Sequence, residues 1–144
     1  MKQRHAIMWL KASTVFTIGF GLLMVAAATP ALSAPVAFML DLVFAPLDGG
    51  QGLTDPSARL LSAIGGGVMA GWGVSIWLVL TRLAAREPEL ARVLILGGLC
   101  TWFVVDSSGS MLAGAPWNVA GNIGFLLIFL IPALQLREAN ERTA

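Results

Sequence analysis

The chain has 144 residues, of which 57% are apolar and 12% charged, with a mean hydropathy of +0.81. Soluble domains carry about 25% charged residues, so a fully water-exposed surface is excluded and the chain belongs in a bilayer. The net charge of +1 excludes a broad nucleic-acid footprint, which needs clustered Lys and Arg on one face.

A single cysteine, Cys100, lies in an apolar run, so neither an intrachain disulfide nor a cysteine-based metal site is available. The lone histidine, His5, sits in the basic N-terminal flank with Lys2, Arg4 and Lys11 and reads as solvated. From Ala12 to Ala28 no charge interrupts the chain, which gives a first spanning helix over about residues 10–29. A basic start, an apolar middle and the small residues of TPALSAP also fit a secretory signal. Pro35, directly after the best small-residue site at Ala34, speaks against cleavage, and a retained helix is expected.

The next apolar stretch, PVAFMLDLVFAP over about 35–46, is too short to span and has proline at both ends. It is expected to lie at the membrane face as a short interfacial helix. Asp41 and Asp48 read there as water-facing charges, since Pro46 breaks any common helical face. DGGQGLTDP, residues 48–56, is turn chemistry.

A second spanning helix covers about 59–81. Two small-residue stripes recur on it at four-residue spacing, Ser62, Gly66 and Ala70, and Gly67, Gly71 and Ser75. Membrane helices associate by close backbone approach, which small residues permit, so both stripes are expected to pack against other helices. The triplet Gly65 to Gly67 has neither the lysine nor the hydroxyl of a phosphate-binding loop.

RLAAREPELAR, residues 82–92, is a charged loop broken at Pro88, and a third span follows over about 91–111, with Gly97 and Gly98 as packing positions. The fourth covers about 117–136 after Pro116, a favoured first-turn residue. The fold expected is all-α: four transmembrane helices in a bundle plus the interfacial helix between the first two. Lys2, Arg4, Lys11, Arg82, Arg86, Arg92, Arg137 and Arg142 fall on one side of that topology and only Arg59 on the other. The positive-inside rule then places both termini in the cytoplasm. Trp9 and Trp77 suit the inner interface and Trp117 the outer, whereas Trp72 and Trp102 fall nearer mid-membrane, where helix packing or a ligand would hold them.

The segment WFVVDSSGSM, with Asp106, Ser108 and Ser110, resembles the metal-ion-dependent adhesion site of von Willebrand factor A-type domains. Its setting does not: no Asp follows Ser110, and no Thr before the tail, and the chain runs on into a spanning helix. An aspartate near the end of a spanning helix is a functional candidate in its own right, because intramembrane charge is costly and is normally paired or turned into a cavity. Candidate partners are Arg59, Ser107, Ser108, Asn118 and Asn122, the asparagines lying four apart on one face, with Trp72 and Trp102 beneath. Two readings follow. The polar cluster binds a quinone, a lipid head group or a proton, or Asp106 caps the connection while the asparagines bond across helices. No set for nucleophilic catalysis is present, and no intramembrane histidine offers a haem ligand.

RLLSAIGGGVMAGWG (residues 59–73) and LAGAPWN (residues 112–118), within this plan of four helices, resemble small bacterial inner-membrane proteins of the DoxX-like kind. That resemblance implies an accessory role in quinone-linked oxidation and assigns no catalytic residue. The leading expectation is a non-catalytic accessory or assembly subunit, its partners being membrane lipids and other membrane subunits or a second copy. The alternative is a small transporter or quinone-linked oxidoreductase component that uses the pocket around Asp106. No metal or other cofactor is expected beyond a bound quinone or lipid.

Overall fold

A computed structural model describes residues 3–136; Lys2, Arg137 and Arg142 lie outside the described residues. The chain is all-α, in the order α1 (Gln3–Ala26), a 3-10 turn (Pro30–Leu32), α2 (Ala34–Phe44), α3 (Pro56–Arg82), α4 (Pro88–Leu112) and α5 (Pro116–Ala133). Among the described residues α1, α3, α4 and α5 are long and apolar enough to cross a membrane, and α2 is the short helix between the first two spans.

α1, α3 and α4 start before the expected spans, whereas α1 ends at Ala26 and α5 at Ala133, short of the expected 29 and 136. The Asp55 carboxylate accepts from the backbone N–H groups of Ser57 (3.1 Å) and Ala58 (3.3 Å), so α3 starts at Pro56, three residues before Arg59. Pro88, expected to break the charged loop, is instead the first residue of α4, where its missing N–H costs no helical bond. α1 reaches back to Gln3 and carries Arg4, His5 and Lys11 within the helix, and the Lys11 ammonium stands 5.6 Å over the Trp77 ring. Pro132 lies in the last turn of α5, one residue from its end, rather than at a mid-helix kink. In the charged loop only Arg92 and Glu89 pair among the described residues.

α1 and α3 form the tightest pair. A Cβ added to Gly21 would stand 2.6 Å from the Gly66 carbonyl oxygen and 2.7 Å from the Ala70 nitrogen, so two backbones touch where side chains would otherwise intervene. Ser62 Oγ closes the contact by donating to the Met24 carbonyl at 2.9 Å. Of the two small-residue stripes, then, Ser62–Gly66–Ala70 is spent on α1. Gly67 and Gly71 have nothing within 4 Å of an added Cβ, and Ser75 is exposed and bonds only to the Gly71 carbonyl of its own helix. Gly97 is likewise open, while Gly98 lets the Trp72 indole nitrogen come to 3.4 Å from where its Cβ would be. The expectation that Gly67, Gly71, Ser75 and Gly97 pack is therefore not met among the described residues, because one helical face suffices for each neighbour.

The main core gathers Leu10, Ile76, Leu80, Ala84, Ala91, Ile95, Leu99, Phe129, Ala133 and Leu136. These residues come from the start of α1, the end of α3 and the loop after it, the start of α4, and the end of α5 and the turn that follows it, and they define the near end of the bundle. The core is continued towards the far end by Trp72, Trp102 and Phe125 and stops there. Beyond that level a second, smaller core of Ala27, Val36 and Leu53 holds α1, α2 and the loop together, with Leu23, Met24, Leu40 and Ala58 around it and no residue of α4 or α5 in it. α3 and α4 touch sparsely, whereas α4 and α5 form a continuous hairpin. The bundle is thus four helices sharing one core at the near end, while at the far end α2 joins α1 and α3 through the second core and also packs against α5.

Asp41 corrects the expectation of a water-facing charge. It is 4% exposed, and its carboxylate accepts from the backbone N–H groups of Gly49 at 2.9 Å and Gln51 at 3.3 Å. The glycine-rich loop folds back over α2 and supplies donors that the sequence spacing did not foreshadow. Asp41→Ala is expected to cost about 1–3 kcal/mol by stranding those donors. Hydrogen exchange checks it: the Gly49 and Gln51 amides lose protection while those of α4 and α5 keep theirs.

Candidate functional site

The site is made by a tight turn. α4 ends at Leu112 and α5 begins at Pro116, with Gly114 at φ +75°, a conformation that glycine adopts without the steric cost of a Cβ. So short a connection forces the two helices antiparallel and side by side. Asp106 lies six residues before the end of α4 and Asn122 six after the start of α5, each about 9 Å from its helix terminus at 1.5 Å per residue. The two are thereby opposite each other, just inside the apolar span.

Asp106 Oδ2 accepts from both asparagines, from Asn122 Nδ2 at 2.7 Å and Asn118 Nδ2 at 3.1 Å. The same two nitrogens also donate to serine hydroxyls, Asn118 to Ser110 Oγ at 2.8 Å and Asn122 to Ser107 Oγ at 3.1 Å. Ser110 Oγ in turn donates to the Asp106 backbone carbonyl at 2.8 Å. An amide nitrogen carries two hydrogens, so all four on this pair are committed. Nothing among the described residues donates to Asp106 Oδ1, to Asn118 Oδ1 or to Asn122 Oδ1.

The cluster faces inward. Asp106 lies seven residues beyond Leu99 and four beyond Trp102, and Asn122 seven before Phe129, all positions of the core stripe. Asn122 is 6% exposed. One turn towards the near end the floor is aromatic: Trp102 and Phe125 have ring centroids 5.0 Å apart, Trp72 and Trp102 6.0 Å, and Trp72 and Phe125 6.4 Å. Trp72 is the contribution of α3, wedged against α4 where Gly98 leaves room.

Of the expected partners, then, Asn118 and Asn122 meet Asp106, Ser107 joins the cluster through Asn122, and Trp72 and Trp102 lie beneath. Arg59 does not join them: its guanidinium donates to the carbonyls of Thr54 (3.1 Å) and Leu53 (3.4 Å), closing the loop before α3. Ser108 is exposed on the other side of α4. Ser110 and Phe125 belong to the cluster, and their signals were the four-residue spacing from Asp106 and the three-residue spacing from Asn122. Asp106 has no ion-pair partner among the described residues.

Fold and site together fit a multi-pass integral membrane protein with a polar cluster inside its far end. Comparison with protein-family models, curated proteins and solved structures finds no match to the chain.

Proposed function

We propose that this chain is a non-catalytic inner-membrane protein that holds a small molecule at the far end of its bundle, as a small transporter or as the ligand-holding component of a larger membrane complex. The observation that carries this reading is Asp106, an inward-facing carboxylate whose side-chain bonds come only from neutral amides. A charge inside a membrane is normally balanced by a counter-charge or turned into a cavity. For a clamp between α4 and α5 alone a neutral side chain would serve, without the cost of desolvating an anion. Arg4, Lys11, Arg82, Arg86 and Arg92 at the near end support a cytoplasmic position for that end.

The test is native mass spectrometry of the full chain released from mild detergent. A small-molecule adduct is expected on the wild type and its loss from Asp106→Asn, with helicity and melting temperature nearly unchanged. A wild-type chain without adduct, or a variant that retains it, overturns the reading.

A second reading, an accessory or assembly subunit, is favoured by the open stripe Gly67–Gly71–Ser75, which offers another helix the close approach that Ser62–Gly66–Ala70 offers α1. The same measurement reads it as a stoichiometric protein partner released by Gly71→Leu.

A further inference from the structure

Resting on the binding reading above, we infer that the far-end site takes a primary ammonium group carried on a small apolar body. Three features select that chemistry. The first is charge: Asp106 lacks a cationic partner among the described residues, since Arg59, the one cation of the far end there, is engaged by the Leu53 and Thr54 carbonyls. A cationic ligand supplies the balance that the protein withholds.

The second is hydrogen-bonding polarity. With the four asparagine amide hydrogens used on Asp106 and the serines, the cluster has spare acceptors in Asp106 Oδ1 and the two asparagine carbonyl oxygens. A ligand that fills these three oxygens brings donors, and an ammonium group carries three with no acceptor. A quinone carbonyl is an acceptor: it could take the Ser107 hydroxyl or an indole N–H of the floor, but it would leave all three of these acceptor oxygens without a donor. Tetramethylammonium, equally charged, brings no donor at all.

The third is the floor. Trp72, Trp102 and Phe125 lie one turn below the carboxylate, with centroids 5.0–6.4 Å apart. Ring faces attract cations and pack against the hydrocarbon that carries them. Asp106 therefore neutralises the charge, the asparagine carbonyls take its N–H groups, and the indoles receive the apolar body. Two sources present this group to a membrane site, a free amine and the ethanolamine head group of a phospholipid.

The experiment uses the full chain in nanodiscs of phosphatidylglycerol alone, titrated at constant ionic strength with propylammonium chloride or tetramethylammonium chloride. Tryptophan fluorescence and calorimetry are the readouts. A saturable change with propylammonium is expected, at least tenfold weaker with tetramethylammonium and at least tenfold weaker in Asp106→Asn. Asn118→Ala leaves the Asn122 bond in place and is expected to weaken binding at least threefold, which keeps the test available if Asp106→Asn does not fold. In nanodiscs containing phosphatidylethanolamine, a head-group site shows the fluorescence change before any amine is added and propylammonium adds nothing further. A free-amine site responds to propylammonium equally in both lipids. No response to propylammonium or phosphatidylethanolamine, or equal responses to the two cations, overturns the ammonium assignment. If an Asp106-dependent adduct is nonetheless present by mass spectrometry, the binding reading stands without it; if that adduct is missing too, both fall.

Discussion

Gly66→Val is expected to prevent α1 and α3 from pairing, with no folded protein recovered after detergent extraction. A Cβ at Gly66 would stand 2.8 Å from the Met24 Cβ and 2.9 Å from the Val25 nitrogen, besides meeting the Gly21 carbonyl oxygen. Overpacking a core costs about 1–3 kcal/mol when side chains can shift aside. Here two of the three opposing atoms are backbone, and the only relief is to move the helices apart. Separation would also break the Ser62 to Met24 bond and open the second core around Ala27 and Leu53. Gly67→Ala, one residue along, is the control: nothing lies within 4 Å of its Cβ, and removing a helix-interior glycine is worth about 0.5–1 kcal/mol in favour of the fold. Size-exclusion profiles and thermal melts in one detergent measure both. Equal behaviour of the two variants would rule out the close α1–α3 contact.

The second large effect concerns the hairpin of α4 and α5. Asp106→Ala removes the acceptor shared by both asparagines, and each stranded donor costs about 1–3 kcal/mol where it is buried. Relief from holding an anion in an apolar span offsets part of this, so the informative quantity is the coupling rather than the single change. Asn122→Ala should be costly in the wild type and nearly neutral once Asp106 is alanine, a coupling of about 1–3 kcal/mol in a double-mutant cycle. Additive melting shifts across the four proteins would mean that the carboxylate and the amide do not stabilise one another. Asp106→Asn is different in kind: it keeps an acceptor oxygen for the asparagines and loses only the charge, so stability should be nearly preserved while ligand binding is not.

The site also shows how far spacing can be trusted. Asn118 and Asn122 are four apart, as are Trp102 and Asp106, and these intervals placed them on common faces before any packing was known. What spacing left open was orientation between helices. Arg59 shares an end of the bundle with Asp106, yet its guanidinium finds carbonyl oxygens five and six residues back on its own chain. A local partner was nearer than the carboxylate on another helix pair. Asp41 differs from expectation for the complementary reason: a lone aspartate on a short apolar helix reads as surface, but the loop after it turns its N–H groups inward and makes a buried carboxylate acceptable.

By itself the sequence determined the bilayer as solvent, the four spans, the short helix after the first and the turn that sets α4 beside α5. All of these depend on runs of apolar residues, helix length and the local chemistry of Pro, Gly and Asp, which act within a few residues of chain. Tertiary structure alone decided which of two equivalent small-residue stripes on α3 meets α1, that Asp41 is buried, that Arg59 stays with its own loop and that Asp106 takes both asparagines. Helical periodicity defines faces but not their neighbours. A face acquires its partner only when backbones come close enough for glycine to matter and when every buried donor must find an acceptor on another helix.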